Sequence, residues 1–301
     1  MKSINVTNNK IKYLLLPIII VIAGIVMYFV QGFNFDIEFM GGIKMQVNMG
    51  QTFNNEEVSK YLEEKTGVTP IIVQTVGDGT QASIKTQPIE ESKKTEIYSA
   101  LKEKYGLQEE EPMSVTSASA SFGNQVQKKA LIYTIIALIC ILAYIAFRFE
   151  WRSAISAIIA LAINLAVMMA VYTISYTPLN TTFIAAMLTV IGYSINNTIV
   201  VFDRIRENMK GYNPKKGDTV SDITNRSINE SMGRTINTTI TTLITIVVLY
   251  IMGVPSIKEF AFPLIIGVLA GAYSSIFIAS PIWAAWKESD EEAKKQAKNI
   301  K

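Results

Sequence analysis

Polar side chains recur at helical spacing inside an apolar part of the chain. Ser194, Asn197 and Thr198 fall within the apolar segment 183–202, and Asn164 lies in a separate apolar segment. Residues three and four apart share one face of an α-helix, so these side chains can point together into a helix bundle. A polar group in hydrocarbon marks either a functional site or a hydrogen bond between helices, and both interpretations stay open.

The fourth and fifth apolar segments carry the residues that can serve an ion pathway or coupling. Because the fourth segment runs toward the side from which the fifth starts, Asn197 and Arg234 can lie at similar depth. The alternatives are a solvated helix end for Asp203 and, for Arg234, a side chain that reaches the membrane interface. The candidates are Asn197, Arg234, Ser194, Asn196, Asp203 and Asn237.

The sequence has no histidine, and Cys140 is its one cysteine. Ser-His-Asp and Cys-His nucleophilic sites, histidine-bound zinc and disulfides within the chain are thereby excluded. We therefore expect no enzymatic activity, no catalytic residues, and no cofactor or metal site. The 28 Lys and Arg residues against 25 Asp and Glu give a net charge of +3, which argues against nucleic-acid binding.

The composition is that of a protein embedded in a lipid bilayer. Of the 301 residues, 50% are apolar and 18% are charged, against roughly 25% charged in soluble domains. Six segments reach the roughly 20 residues needed to cross a bilayer. The sequence predicts a polytopic α-helical membrane protein with six transmembrane helices, at residues 13–30, 130–147, 153–175, 183–202, 235–254 and 260–285.

Outside the long loop at residues 31–129, lysine and arginine fall almost entirely on one side of the predicted membrane. Seventeen of them lie in the N-terminus, in two links between helices and in the C-terminal tail, whereas the short loops on the other side hold only Lys258. Positively charged flanks stay in the cytoplasm. We therefore expect a multi-pass protein with both termini cytoplasmic, in which residues 31–129 face outward.

The outward loop alternates between strand and helix periodicity. Strands are predicted at 43–48, 71–76, 81–86 and 113–119, and helices at 54–65 and 90–105. This βαββαβ order is that of a ferredoxin-like α+β domain. The loop holds ten lysines against 14 carboxylates, so it is not a basic surface for anionic lipid or nucleic acid. It is either a soluble spacer or a surface that touches a translocating partner.

Small residues repeat at every fourth position along the sixth predicted helix: Gly267, Gly271, Ser275 and Ala279. Small residues at this spacing let another helix approach closely, so this face is predicted to serve helix packing. The chain then divides into a cytoplasmic N-terminus with the first helix (1–30), the outward domain (31–129), helices two to six (130–286) and a charged cytoplasmic tail (287–301).

Four stretches carry a family resemblance. Residues 32–42 read Gly-Phe-Asn-Phe-Asp-Ile-Glu-Phe-Met-Gly-Gly, similar to a family segment Gly-Leu-Asn-Phe-Gly-Ile-Asp-Phe-Thr-Gly-Gly. Residues 191–208 read Ile-Gly-Tyr-Ser-Ile-Asn-Asn-Thr-Ile-Val-Val-Phe-Asp-Arg-Ile-Arg-Glu-Asn, residues 234–238 read Arg-Thr-Ile-Asn-Thr, and small residues recur along 266–281. Together they resemble the SecF family, bacterial protein-translocase subunits of the RND-type superfamily that work with SecD.

The resemblance implies a subunit that acts with SecD beside the SecYEG channel in the bacterial cell membrane. There the outward domain helps to draw an unfolded preprotein across, and an ion gradient drives the cycle. Asn197 stands where the family usually has the Asp that is taken to carry the proton, and Asn cannot titrate. No Asp or Glu lies within the six predicted helices. The titrating group then comes from SecD, or another cation is used.

Two other functions stay open. A scaffold without ion coupling would hold SecD and the channel together, and the missing Asp favours this alternative. An RND-type exporter of lipids or small molecules would need a larger outward region, with a second loop after the fourth helix, than this sequence has. Intramembrane proteolysis would need two facing aspartates or a metal site.

Overall fold

The computed structural model describes residues 4–76, 79–107, 112, 114–214 and 217–299. The chain divides into two compact units. The helical unit comprises Met1–Asn34, Tyr133–Thr177 and Thr182–Lys301, and the sheet unit comprises Phe35–Ile132 and Pro178–Thr181.

Helices dominate the chain, and four short strands lie between the first and second long helices. The elements in chain order are α1 Lys10–Gln31, α2 Ile37–Met40, β1 Gly42–Asn48, α3 Asn55–Thr66, β2 Ile72–Val76, β3 Gln81–Thr86, α4 Glu91–Tyr105, β4 Ser114–Ala118, α5 Ala120–Arg148, α6 Trp151–Ile174, α7 Thr181–Met209, α8 Val220–Met252, α9 Pro255–Ser274, a π-helical turn Ser275–Ala279 and α10 Ser280–Asn299.

Six stretches of helix within the described residues are long and apolar enough to cross a membrane. They are α1, the part of α5 from Lys128 to Arg148, α6, α7, α8, and a sixth span that runs from Ser256 to Ala293 through α9, the π-helical turn and α10. The predicted fold class, a six-span helical membrane protein with one small α+β domain, is confirmed.

The fifth span begins well before the apolar run predicted at 235–254. Thr219 caps α8: its Oγ1 accepts from the Asp222 amide at 3.0 Å and donates to the Asp222 carboxylate at 2.7 Å, and such a cap stabilises the start of a helix. Asn225 and Asn229 then hold the N-terminal segment. Asn229 pairs with both the amide and the carbonyl of Ile4 at 2.9 Å.

The sheet unit has the predicted ferredoxin-like topology. Its strands lie in the order β2-β3-β1-β4, and every neighbouring pair is antiparallel. The Asn54 side chain caps α3 by accepting from the amides of Glu56 and Glu57. The strand predicted at 113–119 is observed as β4, while Met113 lies outside the described residues.

An ion-pair cluster is buried in the sheet unit. Asp36 is 3% exposed at its side chain and lies 3.3 Å from the Nζ of Lys85 and 3.2 Å from that of Lys44. It also accepts from the Ile37 amide at the start of α2. Burial raises the pKa of Asp36, but the two lysines and this amide outweigh burial and hold the pKa below its usual value.

Candidate functional site

The buried polar side chains of the helical unit include five that lie on three spans and concern the candidate site. Asn164 lies on α6, Ser194, Asn197 and Thr198 lie on α7, and Ser275 begins the π-helical turn. Each is at most 3% exposed. The predicted face of Ser194, Asn197 and Thr198 therefore does point into the bundle. We call these five residues the polar cluster.

Hydroxyl groups join α7 to the sixth span within the polar cluster. The Oγ1 of Thr198 and the Oγ of Ser275 lie 2.8 Å apart. The carbonyl of Ser194 accepts from either hydroxyl, at 3.0 Å from Thr198 and 3.2 Å from Ser275. The two helices are thus held together by a hydrogen bond between two side chains and by one from a side chain to the backbone.

Some side-chain amide atoms of the polar cluster lack hydrogen-bond partners among the residues that the structure describes. These atoms are the Nδ2 and Oδ1 of Asn164 and the Nδ2 of Asn197. An unpaired buried polar group costs about 1–3 kcal/mol. The cluster thus offers neutral amide and hydroxyl groups that can bind water, a cation or a polar partner group, but no group that exchanges a proton as a carboxylate does.

Glycine lets the sixth span approach the polar cluster. A Cβ at Gly271 would lie 3.1 Å from the Nδ2 of Asn164 and 3.2 Å from the Oγ of Ser194. A Cβ at Gly267 would lie 2.3 Å from the Cγ2 of Val190. Ser275 and Ala279, the other two members of the predicted packing face, are fully buried.

The fifth span does not supply the partners that we expected for the polar cluster. Arg234 and Asn237 are exposed on α8, whereas Thr235 and Thr239 lie on its buried face. Residues one and two positions from Thr235 point away from that face because each helical residue turns by about 100°. Ser275, predicted only as a residue of the packing face of the sixth span, is the residue that contacts Thr198 and Ser194.

Asn196 and Asp203 lie on α7 but outside the polar cluster. Asn196 is exposed. Asp203 is 59% exposed at its side chain and pairs with Arg148 at 3.6 Å. An exposed pair of this kind contributes little to stability, which agrees with the alternative of a solvated helix end.

A group of contacts at the end of the sixth span was not predicted. Glu288 of α10 accepts from the Ser221 amide at 2.9 Å, and Glu291 accepts from the hydroxyl of Tyr212 at 2.5 Å. Burial and this carboxylate raise the pKa of Tyr212 to about 12. The signal was a tail rich in carboxylates at helical spacing, which the sequence analysis treated only as a charged tail.

The π-helical turn was also missed, although its cause is visible in the sequence. Pro281 removes the N–H that would bind the carbonyl of Phe277 and crowds that carbonyl.

Within the described residues, no group of three or more Cys, Asp and Glu side chains is placed to hold a metal ion.

Comparison with known proteins places the chain in a family. Residues 97–289 match the sequence model described as protein export membrane protein SecD/SecF, C-terminal. The protein translocase subunit SecF of Alicyclobacillus acidocaldarius is 38% identical over 281 residues, which cover 91% of this chain and 90% of that protein.

Two SecDF proteins are longer relatives. The protein translocase subunit SecDF of Bacillus subtilis is 35% identical, over 93% of this chain and 38% of its own length. The crystal structure of SecDF from Thermus thermophilus, described as a translocon-associated membrane protein, is 28% identical with a TM-score of 0.84, over 95% of this chain and 39% of that one. The chain spans nearly all of the SecF relative and about two fifths of the SecDF relatives. It belongs to the SecD/SecF family of protein-export membrane proteins.

Proposed function

We propose that this chain is the SecF-type subunit of the bacterial Sec translocase. It acts with SecD beside the SecYEG channel and uses an ion gradient to assist the passage of unfolded preproteins across the cell membrane. The SecDF relatives support the choice of partner, because this chain covers only 38–39% of their length and their name joins SecD to SecF.

The observation that carries this proposal is a polar face on α8. Arg234, Asn237, Thr238 and Thr241 are all exposed on this membrane-spanning helix. Thr238 and Thr241 each donate their proton to a carbonyl one turn earlier at 3.0 Å, so outward their oxygens can only accept. A face with a guanidinium group is costly in hydrocarbon unless a polar partner or water covers it. We call these four residues the α8 polar face.

A partner helix that carries a carboxylate fits the α8 polar face. The carboxylate would neutralise Arg234, and donor groups along the same helix would bind the threonine oxygens. In this proposal SecD supplies that helix and the titrating group that Asn197 does not supply. One elementary charge that crosses the membrane potential yields about 2.3 kcal/mol per 100 mV, so a few ions per cycle suffice to move a domain.

The placement of charge supports the proposed orientation. Seventeen Lys and Arg residues lie in the N-terminus, the links and the tail on one side, whereas the two short loops on the other side hold only Lys258. Both termini then lie in the cytoplasm, and the sheet unit lies outside, where a preprotein emerges.

The second candidate is a scaffold that holds SecD and the channel together without ion coupling. The neutral side chain at position 197 favours it, because the polar cluster then serves only as hydrogen bonds between helices. Within the described part of the chain, both amide atoms of Asn164 and the Nδ2 of Asn197 have no hydrogen-bond partner. This favours the coupled function, since hydrogen bonding between helices would have paired them.

The test replaces Arg234 in the full chain, reconstituted with SecD and SecYEG. Arg234→Ala is expected to lower the gradient-dependent part of preprotein translocation at least tenfold, while Arg234→Lys keeps part of it. Arg226→Ala removes an exposed arginine at the start of the same helix and serves as the matched control. Unchanged translocation after Arg234→Ala, with SecD still bound, would contradict coupling and favour the scaffold.

A further inference from the structure

The sixth span contains one turn of π-helix, at Ser275–Ala279. Pro281 lies two residues after the end of the turn, and a proline ring crowds the carbonyl four residues earlier, here that of Phe277. The wider turn relieves this crowding, and the Ser280 hydroxyl donates to the Ser275 carbonyl at 3.1 Å. π-Helix occurs mostly as single turns within α-helices, frequently at functional sites.

Thr198 of α7 meets Ser275 at this turn, and the two hydroxyls have two ways to bond. Each carries one proton. When Thr198 donates to Ser275, Ser275 donates to the carbonyl of Gly271 at 2.8 Å. When Ser275 donates to Thr198, Thr198 donates to the carbonyl of Ser194 at 3.0 Å. Both arrangements keep α7 and the sixth span joined.

Asn197 is a buried residue directly beside this contact. It is adjacent to Thr198, is 2% exposed, and its Nδ2 has no hydrogen-bond partner among the described residues. No bond of this donor fixes the amide. The Thr198–Ser275 contact lies one residue from Asn197 and joins the helix that carries it to the sixth span.

We propose that Thr198 and Ser275 are positioning residues for Asn197, and that the π-helical turn places Ser275 against Thr198. The inference rests on the proposed function, in which Asn197 lines the ion pathway. The contact is made of neutral hydroxyls, so its strength does not depend on pH.

The first experiment uses Asn197→Asp as a reporter in the full chain in lipid vesicles. Infrared titration of the introduced carboxyl gives its pKa. Thr198→Val, which removes the hydroxyl at nearly constant volume, is expected to shift this pKa by about one unit or more, a tenfold change in proton affinity. Ser275→Ala should shift it in the same direction, and Thr198→Ser should restore the original value.

Thr189→Val is the matched control on α7. Thr189 is exposed and donates to the Ala185 carbonyl at 2.9 Å, so its loss should leave the reporter pKa unchanged. The proposal is overturned if Thr198→Val and Ser275→Ala leave the pKa unchanged, or if Thr189→Val shifts it as much as they do. Ser275→Ala removes one buried atom, so it keeps the test available if Thr198→Val does not fold.

The second experiment addresses the π-helical turn. Pro281→Ala restores an N–H that can bind the Phe277 carbonyl, and the turn is expected to revert to α-helix. Ser275 then moves away from Thr198, and the reporter pKa shifts as it does in Thr198→Val. Pro263→Ala, at the other proline inside this span, is the control and should have no effect. An unchanged pKa in Pro281→Ala would contradict the role of the turn.

Preprotein translocation tests the function of the same contact in chains that keep Asn197. Thr198→Val and Ser275→Ala should each lower the gradient-dependent part of preprotein translocation about tenfold at equal recovery of the SecD complex, and the double variant should lose little more than either single one. Additive losses would contradict a shared contact. If the unmodified chain itself shows no gradient dependence, the proposed function fails, and the reporter titration still decides whether Thr198 and Ser275 position residue 197.

Discussion

The Asp36 carboxylate lies 3.3 Å from the ammonium group of Lys85, a lysine that is fully buried in the sheet unit. Lys44 adds a second ammonium group at 3.2 Å. The cluster therefore has two cations around one carboxylate, and the loss of that carboxylate leaves buried positive charge behind. Such a loss is far more costly than the loss of an exposed ion pair.

Asp36→Asn is expected to destabilise the sheet unit by about 3–5 kcal/mol. Hydrogen exchange of the β1 and β3 amides in the full chain measures this change. Glu103→Gln, which removes an exposed partner of Lys65, is the control and should change exchange by less than about 1 kcal/mol. Equal exchange in both variants would contradict the structural role of Asp36.

The same cluster predicts a response to acid. Because the pKa of Asp36 is lower in the folded chain than in the unfolded chain, its contribution is present above the unfolded value of 3.8 and is lost as pH falls through the folded value. The protection of the β1 and β3 amides, relative to their intrinsic exchange rates, should therefore fall below about pH 4. Asp36→Asn should remove this part of the acid dependence. A variant with the full acid response would contradict the assignment.

The contacts of the glycines predict that the effect of a larger side chain on stability depends strongly on its position along the spans. Gly267→Val is expected to lower the stability of the helical unit by about 1–3 kcal/mol or more, because a Cβ there already meets Val190 at 2.3 Å. Gly192→Ala is the control, since a Cβ at Gly192 meets no atom within 4 Å. Thermal unfolding in detergent compares the two. Equal transition temperatures would contradict close packing at Gly267.

The N-terminal segment is predicted to detach when its asparagine partners are removed. Val6 is fully buried, and Asn225 accepts from its amide at 2.9 Å. In a Cys140→Ser background, Val6→Cys should react slowly with a maleimide, and Asn225→Ala with Asn229→Ala should accelerate labelling at least tenfold. The same labelling rate in both chains would show that these amides do not hold the segment.

Hydropathy and periodicity were sufficient for the spans and for the sheet domain. A span is recognised by the length of its own apolar run, and the ferredoxin-like order is recognised from local strand and helix patterns. Neither prediction requires knowledge of contacts between distant residues. The face of Ser194, Asn197 and Thr198 was predictable for the same reason, because helical spacing alone places the three together.

Contacts between distant segments could not be predicted in this way. The sequence shows that Arg234 is charged and that Ser275 is small and polar. It does not show that Arg234 lies on the exposed face of α8, or that the sixth span places Ser275 against Thr198. The buried cluster of Asp36 is similar: its two lysines come from β1 and β3. Asp36 stands where the family segment has glycine, and this departure was the one local signal.

The decisive measurement is completion of preprotein translocation in vesicles that contain SecYEG and SecD, with and without this chain, under imposed proton or sodium gradients. The account predicts that the chain adds an increment that requires a gradient, and that Asn197→Asp changes which ion supports it. An equal increment with no gradient, unaffected by Asn197→Asp, would contradict ion coupling and leave the scaffold as the function.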